Sequence, residues 1–272
     1  MHRKRRHPHN PGRPKNSKNK TVRVLIGVLS LMLCACNESA EPPAGPSSAE
    51  TRQPDAGRPT AGLFSTLPIL WNETAEFGDL LSGSDDAGRN PVRAALERRF
   101  DLSPLDTLDA EALSGFDTVI LAQPRVLSPS ENVALDNYVR VGGKVVLFAD
   151  PMLTGHSRYA LGDPRRPQDT VLLSPILSRW ELELRFDTEQ ASGERTADAF
   201  GVAIPIDMAG TFVAQSGENA GSTCDPAEGL AVACEIGEGR LYAIADAAIL
   251  QPHDDSDGKG DPLAELFSRF AD

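Results

Sequence analysis

The segment 117–149 constrains the fold of this chain more than any other stretch of its sequence. It contains two continuous apolar runs, Thr118–Ala122 (TVILA) and Lys144–Ala149 (KVVLFA), which are typical of strands covered on both faces. Between them, Ser128–Glu131 (SPSE) is a capping-box pattern with proline at the first helical position, and Gly142–Gly143 ends the helix. A strand, a helix and a strand in this order predict a βαβ unit whose two strands are parallel.

The rest of the chain repeats this alternation of apolar strands and amphipathic helices. Strands are predicted at Leu63–Trp71, Asp101–Leu105, Leu182–Phe186, Ala199–Ile204, Thr211–Gln215 and Arg240–Ala245. Helices are predicted at Asn90–Phe100, at Val171–Trp180 with a break or bend at Pro175, and at Pro262–Phe270 with Asp261 as its N-cap. Strands that alternate with helices favour an α/β fold with a mostly parallel sheet, and the short strands of residues 182–215 favour an antiparallel part.

The first 36 residues have the pattern of a targeting segment. Nine basic residues lie among the first 23 positions, and the apolar run Val24–Ala35 that follows is shorter than a membrane span. The segment ends in Leu33–Cys36 (LCAC), which resembles the bacterial lipobox, where the cysteine becomes the lipid-modified first residue. We therefore predict a lipoprotein signal peptide at 1–36 with lipidation of Cys36; ordinary secretion and an uncleaved anchor are the alternatives. Asn37, in place of an aspartate, favours the outer membrane, with the inner membrane as the alternative.

The residues that follow divide into a tether and a body. Asn37–Gly62 holds five prolines and no apolar residue larger than alanine, so we predict a disordered tether. Leu63–Asp272 comprises 210 residues, enough for one folded domain. From Cys36 onward 39 acidic residues face 18 basic ones, and the resulting net charge of −21 repels nucleic acid. We therefore predict a body on the periplasmic side of the cell envelope, held to the membrane by the lipid anchor, without a nucleic-acid partner.

Polar residues follow the predicted strands at the point where each strand ends. Gln123, Asp150 and Asp246 follow three buried runs, and Glu73 follows the first predicted strand. Ligands of open α/β sheets bind outside the carboxyl ends of the strands, so we expect these four side chains to converge there. The alternative is that they cap the turns that follow, as aspartate before proline often does.

Three stretches carry a pattern that goes beyond their secondary structure: DTVILAQP (117–124), LSPSENVALDNYVRVGGKVVLFADP (127–151) and GRLYAIADAAIL (239–250). Together they resemble the GldG-like auxiliary domain of ABC transporters. The resemblance implies a mostly parallel, doubly wound sheet of the flavodoxin-like or class I amidotransferase-like kind, with an antiparallel C-terminal extension. It also implies an accessory role, with an ABC transporter or another envelope protein as the partner.

The same resemblance offers a test for catalysis. Active hydrolases of the amidotransferase-like group carry a nucleophilic cysteine on the elbow after a strand placed like Lys144–Ala149. Here the elbow is Ala149–Pro151 (ADP), no cysteine lies between residues 37 and 223, and the sequence has no G-x-S-x-G elbow. We therefore predict a non-catalytic binding or scaffolding protein without a cofactor. The alternatives are an envelope hydrolase that uses Asp150 and Asp246, and a solute-binding module for an anionic ligand.

The long loop Met152–Asp169 holds the cationic candidates for binding. Arg165 and Arg166 are adjacent in an otherwise acidic body, and His156 and Arg158 belong to the same loop. Paired guanidinium groups bind carboxylate or phosphate well, so the loop is the predicted place for an anionic ligand or partner. The alternative is local ion pairing with the acids of the domain itself.

Cys224 and Cys234 are the only cysteines of the body, with nine residues between them. Outside the cytoplasm such a pair forms a disulfide more often than a metal site, and no nearby histidine completes a tetrahedral set. The acidic loop 253–261 satisfies neither register of an EF-hand, so we predict a solvated loop, with a weak Ca²⁺ site as the alternative. We therefore predict one disulfide and no metal.

Overall fold

The centre of the structure is a seven-stranded sheet, seen in a computed structural model that describes residues 57–71, 90–215, 221–251 and 261–270. The strands are β1 (Thr60–Ser65), β2 (Asp101–Pro104), β3 (Thr118–Ala122), β4 (Lys144–Phe148), β5 (Leu182–Arg185), β6 (Arg195–Ala199), β7 (Val202–Ile206), β8 (Thr211–Ala214), β9 (Ser222–Asp225), β10 (Glu228–Gly229), β11 (Ala231–Ile236) and β12 (Gly239–Ile244). The helices are α1 (Pro91–Arg99), α2 (Ala110–Leu113), α3 (Pro129–Arg140), α4 (Ser174–Arg179) and α5 (Pro262–Arg269), with a 3₁₀ turn at Ala248–Leu250. The predictions on Cys36, Glu73, the tether up to residue 56 and the acidic loop up to residue 260 lie outside these ranges. Within the ranges, no helix combines the length and the apolar character that crossing a bilayer requires.

The strand order across the central sheet is β2-β1-β3-β4-β12-β11-β9. The first five strands are parallel neighbours, and β11 and β9 continue the sheet in antiparallel pairs. Two smaller antiparallel sheets have the strand orders β10-β8-β5 and β6-β7. The protein is therefore a mixed α/β fold with a mostly parallel central sheet, and the predicted fold class is confirmed at this level.

The predicted βαβ unit is present as β3, α3 and β4, and local contacts explain where its helix begins and ends. The Ser128 hydroxyl accepts a bond from the Glu131 N–H at 3.3 Å, and the Glu131 carboxylate accepts one from the Ser128 N–H at 2.8 Å. Such a capping box bonds N–H groups that have no partner within the helix. At the other end Gly142 has φ +109°, a conformation that a residue with a Cβ rarely adopts. Both ends of the helix thus follow from residues close to them in the sequence.

Side chains on the two faces of the sheet pack against different helices. On β3, Ile120 joins a core with α1 and α5, whereas Val119 and Leu121 join a second core with α3 and α4. Successive residues of a strand point to opposite faces, so a strand that is apolar throughout is one that is covered on both sides. Because helices cover both faces of the sheet with apolar side chains, the polar side chains of the parallel strands lie at the strand ends.

The first strand differs from its prediction. The sequence predicts a strand at Leu63–Trp71, but β1 begins at Thr60 and ends at Ser65. The Ser65 hydroxyl accepts a bond from the Leu67 N–H at 3.0 Å, which turns the chain into a bend immediately after the strand. The predicted tether is consequently too long at its end, because residues 60–62 belong to the strand.

Other elements are shorter than the sequence predicts. Of the helix expected at Val171–Trp180, only α4 is present. Pro175 lies in its first turn, because proline fits the first turn of a helix and not its interior. The strand expected at Ala199–Ile204 contains the turn of the hairpin β6–β7, where Phe200 and Gly201 have φ +55° and +79°. The strands β9 and β11, which carry the predicted disulfide, pair antiparallel.

Candidate functional site

The parallel strands β3, β4 and β12 end level with one another, because their last residues are paired in register. Gln123, Asp150 and Asp246 follow these three strands, and we call this group the strand-end edge. The structure therefore brings together three of the four strand-end residues that the sequence analysis named. All three are buried, with 0%, 1% and 1% of their surface exposed, respectively.

The Gln123 side chain bonds two other segments of backbone at this edge. Its amide nitrogen donates to the Asp150 carbonyl at 3.0 Å and to the Gln168 carbonyl at 2.8 Å, and its amide oxygen accepts a bond from the Asp150 N–H at 2.8 Å. The residue has φ +45°, which costs a non-glycine residue about 1–2 kcal/mol. Three bonds to buried backbone groups offset that cost.

Asp150 is a buried carboxyl group bonded to backbone N–H groups. One of its oxygens accepts a bond from the Met152 N–H at 2.8 Å, and the backbone of Ala247 also bonds the carboxyl group. Burial, and to a smaller extent the nearby charge of Asp246, raise the pKa of Asp150 to about 7. A carboxylic acid with a pKa in this range is present in both protonation states near neutral pH.

Asp246 repeats this arrangement one strand further along the sheet. Its carboxylate oxygens accept bonds from the Ala248 N–H at 2.6 Å and from the Asp207 N–H at 3.0 Å. Burial raises the pKa of Asp246 to about 6, while these two backbone bonds and the charge of Arg195 act in the opposite direction. The charge of Asp246 acts on Asp150 and raises its pKa, so the two carboxyl groups lie within electrostatic reach of each other.

The bonds at the strand-end edge are those of turn caps, which is one of the two interpretations that the sequence left open. Raised pKa values also occur at catalytic and binding sites, so the edge has the acid–base properties of such a site. A ligand could not reach the two carboxyl groups in this structure, because they are almost completely covered. The ligand-binding role of Gln123, Asp150 and Asp246 therefore stays a prediction.

The loop 152–169 holds its two adjacent arginines in local ion pairs. Arg165 donates to both carboxylate oxygens of Asp163, at 3.0 Å and 2.8 Å, and the pair lowers the pKa of Asp163 to about 2. Arg166 donates to both carboxylate oxygens of Asp169, at 3.2 Å and 2.8 Å, and to the Tyr159 carbonyl at 2.9 Å. The local ion pairing that the sequence left as an alternative is thus present, and each guanidinium group is held in a defined orientation.

Together with Trp71, the same loop builds a group of aromatic rings and arginines that we call the arginine–aromatic platform: Trp71, Arg158, Tyr159 and Arg165. Tyr159 is half-buried and the other three are exposed. The rings of Trp71 and Tyr159 lie 6.0 Å apart between centroids. The guanidinium groups of Arg165 and Arg158 lie 4.2 Å and 5.4 Å from the centre of the Tyr159 ring. Trp71 is 40% exposed, and His156 is an exposed neighbour on the same loop.

Sequence reasoning named the arginines of the platform and missed its aromatic residues. Trp71 and Tyr159 are far apart in the chain, and no local pattern marks them as neighbours. The loop reaches this position because the Gln168 N–H donates to the Thr66 hydroxyl at 3.2 Å and the Gln168 carbonyl accepts from Gln123. The platform therefore depends on the strand-end edge for its place.

The predicted disulfide is present between Cys224 on β9 and Cys234 on β11. The two residues are register partners in an antiparallel pair, and their sulfur atoms are 2.09 Å apart. Among the residues that the structure describes, no group of three or more His, Cys, Asp or Glu side chains is arranged to hold a metal ion.

Residues 58–196 match the model of a protein family described as an ABC-type uncharacterized transport system. The matched range contains β1 to β5, the loop 152–169 and two of the three residues of the strand-end edge, Gln123 and Asp150. No curated protein matches the chain.

The chain is also similar to several solved structures at low sequence identity. An exo-β-1,4-mannosidase from Opitutaceae bacterium strain TAV5 is 11% identical over 79% of this chain and 36% of its own, with a TM-score of 0.46. A cytoplasmic protein from Salmonella typhimurium is 12% identical over 66% of this chain and 83% of its own, with a TM-score of 0.39. A β-galactosidase from Rahnella sp. R3 is 14% identical over 79% of this chain and 31% of its own, with a TM-score of 0.41. The chain spans only about a third of the length of each glycosidase. At TM-scores below 0.5, these similarities say nothing about the activity of this chain.

Proposed function

Because the chain belongs to the family described as an ABC-type uncharacterized transport system, we propose that it is a non-catalytic auxiliary subunit of an ABC-type transport assembly. The family match over residues 58–196 carries this proposal, since it covers β1 to β4 together with the loop that builds the platform. In this role the protein binds or positions other components of the assembly.

The finer form of the fold that we propose is flavodoxin-like. The five parallel strands have the order β2-β1-β3-β4-β12, which corresponds to the flavodoxin-like order 2-1-3-4-5 when β12 is counted as the fifth strand. In such a sheet the order reverses between the first and third strands, and ligands bind outside the carboxyl ends there. The loop 152–169 is bonded to Thr66, immediately after β1, so recognition by this loop fits the position.

The residues after β4 support the non-catalytic part of the proposal. Where active hydrolases of a similar fold carry a nucleophile, this chain has Ala149–Pro151, and the Asp150 side chain is 1% exposed. The two cysteines of the body are joined to each other. Covalent catalysis needs a nucleophile and a base placed beside it, and neither a free thiol nor a serine elbow lies at this position.

The arginine–aromatic platform is the surface to which we assign partner binding. Trp, Tyr and Arg are the residues most enriched at the energetic centres of protein interfaces. Arg165 stacks on Tyr159 while Asp163 holds its guanidinium group, so this cation is already ordered before a partner arrives. Arg166 donates to the Tyr159 carbonyl, and His156 is exposed on the same loop.

Recovery of transporter components from native membranes tests the proposal. We expect a permease or an ATPase of the ABC type to be recovered with the full chain, as identified by mass spectrometry. Tyr159→Ala removes the ring on which two guanidinium groups lie and should lower this recovery about tenfold. Val141→Ala, at a residue that is 75% exposed and distant in sequence, is the matched control and should have no effect. The absence of any ABC component with the unmodified chain contradicts the proposal.

A hydrolase that uses the strand-end carboxyl groups is the second candidate, and the raised pKa values of Asp150 and Asp246 favour it. The test is hydrolysis of amide, ester and glycosidic substrates by the purified chain. Under the proposed function no such activity exists in either the unmodified chain or Asp150→Asn. An activity that Asp150→Asn abolishes replaces the auxiliary role with an enzymatic one.

Attachment to the cell envelope through lipidated Cys36, on the periplasmic side, completes the proposal. The support is the Leu33–Cys36 pattern at the end of the apolar run. Metabolic labelling with an alkyne fatty acid should mark the unmodified chain and Cys34→Ser, but not Cys36→Ser. Equal labelling of both variants contradicts the assignment of the anchor.

A further inference from the structure

The two ends of the loop 152–169 are held together at Asp150. The Asp150 carboxyl group accepts a bond from the Met152 N–H at 2.8 Å, which fixes the start of the loop. The Leu153 N–H donates to the Asp169 carbonyl at 2.9 Å, so the first and last residues of the loop are bonded to each other. The base of the loop that carries the arginine–aromatic platform therefore depends on one buried side chain.

Asp150 is surrounded by carboxyl groups of neighbouring elements. Asp246, which follows β12, and Asp207, in the turn after β7, both raise the pKa of Asp150 through their charges. Arg195 on β6 lowers the pKa of Asp246 through its charge. Since the Asp150 side chain is 1% exposed, its ionised form has like charges beside it and almost no water to solvate it.

The elements packed against the base of the loop provide no fixed counter-ion for Asp150. The titratable side chains of the loop itself are those of His156, Arg158, Tyr159, Asp163, Arg165, Arg166 and Asp169. Two of its arginines form ion pairs with its own aspartates, at 2.8 Å each. On the opposite side, Gly155 lies so close to the uncharged side chain of Gln251 that a Cβ on this glycine would overlap it.

Opening the base of the loop changes the free energy of the ionised Asp150. Burial and the neighbouring charges raise the pKa of Asp150 to about 7, although the bond from Met152 acts in the opposite direction. Water that enters the opened base solvates the carboxylate and returns its pKa towards the usual 3.8. The closed form therefore binds the proton more tightly, and the equilibrium constant for opening rises about tenfold per pH unit between about pH 4 and pH 7.

We propose that Asp150 is a pH-sensitive latch of the loop 152–169, which holds the base of the loop closed when protonated and releases it when ionised. Opening moves Tyr159, which belongs to the loop, relative to Trp71, which does not. The inference rests on the proposed function for the role of the platform and adds its regulation. Partner binding is stronger at acidic than at alkaline pH, because the platform is assembled only on the closed loop.

Hydrogen exchange of backbone amides in the purified full chain tests the latch. The protection factor of the Leu153 amide, which divides out the intrinsic pH dependence of exchange, should fall about fiftyfold between about pH 5 and pH 7. Low concentrations of urea should leave the exchange of Leu153 unchanged and accelerate that of Leu147 in β4. This difference separates a local opening from unfolding of the whole domain.

Two variants and one control identify the group that titrates. Asp150→Asn cannot ionise but keeps an oxygen for the Met152 N–H, so the protection of Leu153 should be constant between about pH 5 and pH 8. Asp246→Asn removes a like charge, so the fall in protection should level off at a lower pH. His156→Gln is the control, because histidine is the side chain that ordinarily changes charge near neutral pH, and it should behave like the unmodified chain.

The results separate the latch from the proposed function. The latch is overturned if the protection of Leu153 does not change with pH, if Asp150→Asn retains the change, or if His156→Gln abolishes it. It is also overturned if Leu153 follows Leu147 in urea, or if recovery of ABC components is the same at about pH 6 and pH 8. Since hydrogen exchange needs no partner, absence of ABC components at every pH contradicts the proposed function alone.

Discussion

The strand-end edge and the arginine–aromatic platform are neighbours in space with opposite construction. At the edge, Gln123, Asp150 and Asp246 are buried and bonded to backbone groups. On the platform, Trp71 and the arginines are exposed, and their side chains contact the Tyr159 ring. Buried polar groups that are bonded in this way hold turns in place, whereas exposed aromatic and guanidinium groups are available to a partner. The comparison assigns support to the edge and recognition to the platform.

The largest effect that tests this division is expected for Gln123→Ala. The substitution leaves the Asp150 N–H and the Gln168 carbonyl without their bonds from the amide group, and unpaired buried groups cost about 1–3 kcal/mol each. We expect the free energy of unfolding to fall by about 4 kcal/mol, as measured by urea denaturation. An unchanged urea midpoint would show that Gln123 does not support the fold. Its amide group would then be a candidate for ligand binding.

The pH dependence of stability tests the edge through its carboxyl groups. Burial raises the pKa of Asp150 from its usual 3.8 to about 7, so the folded state holds the proton more tightly than the unfolded state. The stability that the protonated group contributes is complete below about pH 4 and is lost as the pH rises through about 7. We expect the unmodified chain to lose stability, on the order of 2–4 kcal/mol, between about pH 4 and pH 8, and Asp150→Asn to lose less.

Asp163→Asn on the platform loop is the control for this experiment. Its ion pair with Arg165 lowers the pKa of Asp163 to about 2, so its contribution is present above its usual pKa and is lost only as the pH falls through about 2. Urea midpoints of Asp163→Asn should therefore follow the pH dependence of the unmodified chain above about pH 5. A flattened dependence in this variant, and not in Asp150→Asn, would contradict the assignment to the edge.

A smaller effect is expected for Ser128→Ala, which changes neither of the two regions. The serine hydroxyl caps α3, and the loss of such a cap costs about 1 kcal/mol. Above about pH 5, where the Glu131 carboxylate of the cap is ionised, the urea midpoint should fall by the same amount at every pH, while recovery of ABC components stays unchanged. A pH-dependent effect in that range would mean that the cap is coupled to the strand-end edge.

The smallest effect on stability is expected for Arg165→Ala combined with Arg166→Ala. The ion pair of Arg165 is exposed and that of Arg166 is partly exposed, and such pairs contribute little to folding, so the urea midpoint should stay close to that of the unmodified chain. Recovery of the partner should nevertheless fall, and the fall should be smaller at high salt because salt screens exposed charges. Loss of folding without a change in recovery would reverse the comparison between platform and edge.

Much of the parallel sheet could be predicted from the sequence because its signals are local. Ser128, Glu131 and Gly142 mark the ends of α3, and the apolar runs of β3 and β4 mark strands covered on both faces. The positions of Asp150 and Asp246 after their strands were also predictable, since the carboxyl ends of parallel strands share one edge. The early start of β1 was not predictable, because Thr60 and Ala61 belong to the strand through their pairing with β2 and β3. The hairpin turn at Phe200 and Gly201 was missed although its glycine is a local signal for a two-residue turn.

The sequence by itself determined the alternation of strands and helices, the caps of α3 and the polar residues at the strand ends, because these depend on neighbours along the chain. Only the tertiary structure decided that the amide group of Gln123 bonds backbone groups, that Trp71 contacts Tyr159, and that the edge of β5 lies beside a groove. These properties depend on contacts between segments that are distant in the sequence. Burial and pairing therefore decided which of the polar residues support the fold and which are presented to a partner.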